Sequence, residues 1–346
     1  MRQRNFLFME GDFMFIVFIS SKTKLVSLFL LIIICGVFLF KDSLIKHYYG
    51  VKPGVIFLEQ DIGGFSRKKV TEIVAAKLGE WQLNPVNALY DPRVNYIIPE
   101  LWGYEVNLQE TVNKIMSASK DEHVFPVYET VFPDITIDDY PSAIITQGNP
   151  RKKQITFMIN VAWGTEYVLP MLEILNAEGA HATFFVVGTW AGQNEDLMKE
   201  ISSRGHLLGN HGHTDNVVYT KISIEEMERG LEDVNNIVQT ATGQNPLYFT
   251  PHKGEYNDLV LEVVSRQGMR TILWSIDTVD WKKPGVEKMK SKVLDNLHEG
   301  AIVLMHPTAD IVILLKEIVP VIKNKGYSIV TMAELLNPHY PPDKQE

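Results

Sequence analysis

Five short apolar runs in this chain each end in side chains able to do chemistry. They are Asn160 followed by Val161-Ala162-Trp163-Gly164, His211-Gly212-His213-Thr214-Asp215, Thr250-Pro251-His252-Lys253-Gly254, Asp277-Thr278-Val279-Asp280-Trp281, and His306-Pro307. Imidazoles and carboxylates move protons and bind cations near neutral pH, whereas the amide of Asn160 accepts no proton there. The only cysteine, Cys35, lies in an apolar stretch far upstream. The rest of the chain therefore has neither a thiol nucleophile nor a disulfide.

For those groups to meet, the intervening chain must bring the ends of the apolar runs together. Residues 155–161, 182–187, 207–209, 247–250, 271–276, 301–305 and 327–330 have the short apolar pattern of strands. Between them, 167–178, 195–203, 224–240, 257–267, 286–297 and 311–325 carry helical spacing. Ser223 with Glu226, and Thr331 with Glu334, have the spacing of capping boxes. Such alternation predicts a parallel sheet covered by helices, either an open doubly wound sheet or a barrel. In both, a site forms at the carboxyl ends of the strands, where the polar groups fall.

The series resembles carbohydrate esterase family 4, the polysaccharide deacetylases with a nodulation-B homology domain. The resemblance rests on the strand-end groups and on Ala182-Thr-Phe-Phe-Val-Val-Gly188, Gly205-His-Leu-Leu-Gly-Asn-His211, Gly254-Glu-Tyr-Asn257, Trp274-Ser-Ile-Asp-Thr-Val-Asp-Trp281 and Ile302-Val-Leu-Met-His306. It implies a distorted (β/α) barrel of about seven strands over 154–336. It further implies hydrolysis of the amide of N-acetylated sugars with a divalent metal such as zinc. In that chemistry the metal activates a water, a carboxylate takes its proton and a histidine protonates the departing amine.

Mapped onto the family's motifs, Asn160 stands at the base position and Val161 at a ligand position, so both roles are vacant. His211 fits the first metal histidine, Asp215 stands where the second belongs, and His213 is a spare imidazole. Thr250 occupies the place of an arginine, with His252 and Lys253 following it. Asp280-Trp281 is retained, and His306 matches the general acid. The resemblance thus makes His306, Asp280 and Asn160 the candidate catalytic positions. It makes His211, Asp215 and His213 candidate metal ligands, and Trp163, Trp281 and His252 candidate contacts to a sugar.

Upstream, residues 25–40 form an uncharged run between Lys22 and Lys24 on one side and Lys41 on the other. This predicts a single membrane helix with lysines snorkelling at its ends. Lys41-Asp42-Ser43-Leu44 is a poor cleavage site, so the anchor is expected to remain. Arg2, Arg4, Lys22 and Lys24 place residues 1–24 in the cytoplasm and the later domains outside the cell membrane. Residues 50–150 read as a small α+β domain in which Ser66 caps a helix bearing Val70, Ile73, Val74 and Leu78 on one face, and a second helix begins near Gln109. This region resembles peptidoglycan-binding domains of wall-associated membrane proteins; a plain spacer is the alternative. Residues 337–346 remain as a tail.

A net charge of -9 with no Lys/Arg-rich block argues against nucleic acid as a partner and for an uncharged or zwitterionic polymer such as cell-wall glycan. Three readings stay open: a metal-dependent N-deacetylase with a rebuilt site, a catalytically dead glycan-binding protein, and a wall scaffold without cleft function.

Overall fold

In a computed structural model of the chain, the described residues are 26, 28–37, 39, 41, 50–215 and 217–340. They form two compact units. One holds residues up to Glu80 together with Val106–Val127, and the other holds Trp81–Glu105 together with the residues from Tyr128 on. The sequence ranges 50–150 and 154–336 divide the chain at other points.

Residues 1–24 and 341–346 lie outside the described residues, as does part of the stretch predicted to be a membrane anchor. Within that stretch residues 26, 28–37 and 39 are helical, with Leu28, Phe29 and Ile32 exposed. Among the described residues no helix is long and apolar enough to cross a membrane, so the spanning helix expected over 25–40 is not found there.

The first unit contains both helices and strands. Strands Ile56–Phe57, Gln60–Asp61 and His123–Val124 make a small sheet. Ser66 caps helix Arg67–Trp81 through the Lys69 N–H at 3.4 Å, and the helix buries Val70 and Val74. Helix Leu108–Ser117 starts at Asn107, whose side chain accepts from the Glu110 N–H at 2.8 Å.

The second unit carries the strand-end residues. Its parallel strands are β1 (Gln154–Val161), β2 (Ala182–Val186), β3 (Leu207–Asn210), β4 (Tyr248–Phe249), β5 (Arg270–Thr271), β6 (Ile276–Asp277), β7 (Ile302–Met305) and β8 (Ser328–Ile329). The crossovers are α1 (Thr165–Ala177), α2 (Glu195–Ser203), α3 (Ile224–Thr242), α4 (Asp258–Arg266), α5 (Val286–Asp295) and α6 (Ala309–Asn324). The sheet order is β5-β4-β3-β2-β1-β7-β6, with β8 pairing beside the start of β1. Both predicted capping boxes are present, Ser223 with Glu226 opening α3 and Thr331 with Glu334 opening helix Met332–Leu336.

Alternation along the strands separates two cores. Ile155, Phe157, Ile159 and Val161 of β1 face the helix layer, where they meet residues such as Leu172 of α1 and Leu314 of α6. Met158 of β1, Phe185 of β2 and Leu304 of β7 face the inside of the curled sheet. Six side chains of α6, from Ile311 to Ile322, are fully buried, each contributing roughly 1.5–3 kcal/mol by leaving water.

The sheet is a half-barrel rather than a continuous ring, and one predicted strand divides in two. Residues 271–276 were expected to be a single strand. Instead Ile272 still donates to Phe249 beside β5, Leu273 donates to Ile145, and Ser275 has passed over to Ile302 of β7. The chain thus changes partners halfway. The open side of the sheet, whose edge strands are β5 and β6, is bridged by residues upstream of the expected domain: Ile145 pairs with Ile272, Gln147 pairs with Ala301 just before β7, and Gly148 donates to Gly300 at 2.8 Å. Ile145, Ile97 and Ala88 complete the inner core. The C-terminal stretch is also tied down where described. Trp102 N–H donates to the Pro338 carbonyl at 3.0 Å, and the Tyr104 hydroxyl lies 2.6 Å from His339 Nδ1.

One buried histidine makes stability depend on pH. His206 Nδ1 accepts from the Ala182 N–H at 3.1 Å where β2 begins, so Nε2 carries the hydrogen, buried and with no partner among the described residues. Burial, reinforced by His181 and Arg204, pushes its pKa down to about 4 from an ordinary 6.5. A folded pKa below the unfolded one favours folding of the neutral ring. That contribution is complete above pH 6.5 and is lost as pH falls toward 4, about 3 kcal/mol in all. An asparagine carbonyl can accept the same Ala182 N–H. Urea unfolding of His206→Asn should therefore show a shallower loss of stability over that interval than wild type; equal slopes would remove His206 as the cause.

Candidate active site

The carboxyl ends of the strands open into a cleft of about 530 Å³, lined among others by Asn160, Trp163, His211, Asp215, His252 and His306. Gly164 sets one wall. It has φ +73, and a Cβ there would stand 2.0 Å from the Pro307 carbonyl, so only glycine lets the end of β1 lie against the end of β7. Trp163 consequently stacks on His306, with ring centres 5.8 Å apart and planes 8° apart.

Alternation in β1 sends Val161 into the core beneath the helices, whereas Asn160, Ala162 and Trp163 line the cleft. Val161 is thus not at a ligand position, contrary to the sequence mapping; the cleft-facing positions beside Asn160 are an alanine and a tryptophan. Asn160 is buried, and its Oδ1 has no hydrogen-bond partner among the described residues.

On the opposite wall, donor atoms of His211, Asp215 and His252 all lie within 4.8 Å of one another. The turn carrying His211 is held by Asn210, whose Oδ1 accepts from the Gly212 N–H at 2.8 Å while its Nδ2 donates to Leu231 and Asn235 of α3. His211 Nδ1 donates to the Thr250 carbonyl at 2.7 Å, which leaves Nε2 with its lone pair. His252 Nδ1 lies 3.5 Å from Asp215 Oδ1, and its Nε2 is buried without a partner among the described residues. Burial, with His252 and His306 nearby, holds His211 well below the ordinary histidine range. Burial also lowers His252, partly offset by Asp215 and the Thr214 backbone.

Two neutral imidazoles, one carboxylate and an unpartnered buried nitrogen fit a divalent metal of the zinc type. His211, Asp215 and His252 would hold it, and bound there it would supply Lewis acidity and acidify a coordinated water. His213, the expected spare ligand, is not among them. Gly212, at φ +79, turns the chain so that His213 Nδ1 lies 3.6 Å from Asp233 Oδ2 on α3, outside the cleft lining.

His306 is gripped by one carboxylate. Asp280 Oδ2 accepts its backbone N–H at 2.6 Å and Oδ1 its ring Nδ1–H at 2.8 Å. The imidazole is thereby oriented, with Nε2 as its remaining nitrogen. Asp280 is 3% exposed and touches the cleft only through this histidine, so it is a positioning residue. The turn presenting it is strained: Val279, which is β-branched, has φ 56 and Lys283 φ 52, left-handed conformations that cost a non-glycine residue of order 1–3 kcal/mol. Asp277 Oδ1 steadies Val279 by accepting its N–H at 2.8 Å.

Of the residues singled out in the sequence, the cleft gathers Asn160, Trp163, His211, Asp215, His252, Trp281 and His306. It also takes in Lys253, Trp274 and Asp277, to which the family mapping assigns no role. The signal for His252 as a metal donor was its place three residues past β4, in the same row of strand ends as His211.

The half-barrel and its strand-end imidazoles and carboxylates define the class: the chain belongs to the polysaccharide deacetylase family, carbohydrate esterase family 4. Residues 147–272 match the Polysaccharide deacetylase family profile. The chain is 36% identical over 204 residues to a peptidoglycan-N-acetylglucosamine deacetylase of Bacillus cereus, spanning 57% of this chain and 94% of that protein. It is 34% identical over 274 residues to the uncharacterised protein YlxY of Bacillus subtilis, spanning 79% of this chain and 85% of that one. A carbohydrate esterase family 4 pseudoenzyme from Bacillus anthracis superposes with TM-score 0.67 at 30% identity, covering 78% of this chain and 95% of that one. A mutant of the same pseudoenzyme, with restored enzymatic activity, gives the same TM-score of 0.67.

Proposed function

We propose that this protein is a deacetylase-like glycan receptor of the cell envelope. In this reading the cleft binds N-acetylated wall glycan and holds a divalent cation on His211, Asp215 and His252, but does not hydrolyse the amide. One observation carries this: where the cleft needs a carboxylate to take a proton from water, the end of β1 presents the amide of Asn160. Asp280 cannot substitute, because both its oxygens are engaged by His306. The fold neighbour described as a pseudoenzyme supports the same reading.

Trp163 is 44% exposed and Trp281 58% exposed; His306 stacks on one side of Trp163 and the Lys282 ammonium lies 4.6 Å over the Trp281 ring, so a sugar would stack on the side of each indole left exposed. His306, fixed by Asp280, donates to or accepts from the bound acetamido group. Hydrolysis is the second reading, favoured by the intact His306–Asp280 pair and the three-donor cluster. The exposed apolar side chains of residues 28–34 support a single-pass anchor, with the later units outside the cell membrane. Residues 50–150 then serve as a second wall contact or a spacer.

Cosedimentation of the detergent-solubilised full chain with insoluble peptidoglycan tests the reading. Binding is expected, weakened about tenfold or more by Trp163→Ala with Trp281→Ala, since each stacking pair contributes on the order of 1 kcal/mol beyond its buried area. Failure to sediment, or sedimentation indifferent to both tryptophans, would refute glycan recognition by the cleft.

A further inference from the structure

Among the described residues lining the cleft, Lys253 is the only lysine or arginine. It is exposed, and among the described residues no carboxylate pairs with its ammonium. The acidic groups in and behind the cleft have other partners. Asp215 lies against His252 at 3.5 Å, Asp280 is bound by His306, and Asp277 accepts from the Val279 backbone.

The backbone makes the placement deliberate. Lys253 has φ 57 and ψ 10 inside the turn His252–Gly254, a left-handed conformation that costs a residue with a Cβ roughly 1–2 kcal/mol relative to glycine. Gly254 follows with φ +70, and a Cβ on it would come within 3.0 Å of the Trp274 ring. Trp274 thus props the turn from the cleft side. A strained turn, held by an aromatic wall and presenting a cation with no paired carboxylate to a cleft with two exposed indoles, is suited to a sugar that carries a negative charge.

Resting on the reading of the cleft as a glycan site, we propose that Lys253 selects for a carboxylate-bearing N-acetylated amino sugar over its neutral counterparts. Lysine here acts as a point charge on a flexible stem, so the preference is for charge rather than for a bidentate geometry.

The test uses the full chain with two preparations of peptide-free glycan strands, one with free sugar carboxylates and one with those carboxylates converted to amides. Wild type is expected to bind the acidic strands about tenfold more tightly than the amidated ones, with the difference shrinking as salt is added. Lys253→Gln should bind both forms alike, at the affinity wild type shows for the amidated strands. Equal binding of both forms by wild type, or a preference that survives in Lys253→Gln, overturns the role of Lys253 while leaving glycan binding intact. Binding of neither form overturns the glycan reading itself. Lys253→Gly, which relieves the backbone strain, controls for folding: it should match Lys253→Gln in binding while being at least as stable as wild type. A Lys253→Gly variant that keeps the acidic preference also refutes the proposal.

Discussion

Asn160→Asp is expected to raise acetate release from N-acetylated glycan by a hundredfold or more over wild type, in protein loaded with zinc. The substitution is nearly isosteric and puts a proton acceptor at the cleft end of β1, where the amide oxygen already sits buried and without a partner among the described residues. A positioned general base contributes typically 10²–10⁴-fold. Burial raises the pKa of a carboxyl group, so the new activity should appear with a rising limb above the ordinary aspartate value and toward neutral pH. His306→Ala in the same background should remove most of the gain, because the departing amine then lacks its proton donor. An Asn160→Asp protein that folds and binds zinc yet releases no acetate would show that position 160 is not where the base is missing.

The second large effect is on metal affinity. His252→Ala removes one of the three donors within 4.8 Å and should weaken zinc binding on the order of a hundredfold, measured as bound metal per chain and by competition with a chromophoric chelator. His213→Ala should leave zinc binding unchanged, because His213 faces Asp233 instead of the cleft. The reverse pattern would restore the ligand set expected from the sequence. Cobalt substitution gives a readout independent of turnover: a d–d spectrum that His252→Ala alters and His213→Ala does not.

The contrast between those two histidines shows where sequence reasoning reached its limit. The row of strand-end groups was legible, because short apolar runs in a parallel arrangement place the next residues at one rim, and seven candidates meet there. Local signals were equally readable, as with the capping boxes at Ser223 and Thr331. His213, two residues from His211 and from Asp215, looked nearer to the site than His252 did. A single left-handed glycine, Gly212, reverses that order by turning His213 outward, and a contact across β3 and β4 brings His252 in. Neither follows from spacing.

Pairing between distant segments was similarly hidden. Ile145 and Gln147 close the half-barrel by bridging Ile272 and Ala301, a role that no periodicity near residue 145 reveals. Val161 was misread because the mapping compared motif letters, whereas the period of two in β1 decides which side chains face the cleft.

In the proposed function the cleft holds metal and glycan but lacks a base. The direct measurement is a single-turnover experiment in which zinc-loaded wild-type protein, in excess over N-acetylated glycan strands, is followed for bound glycan and free acetate together. Bound glycan with no acetate above the protein-free control is the predicted result. Acetate appearing in proportion to bound glycan would contradict it and establish a working deacetylase with a base other than residue 160.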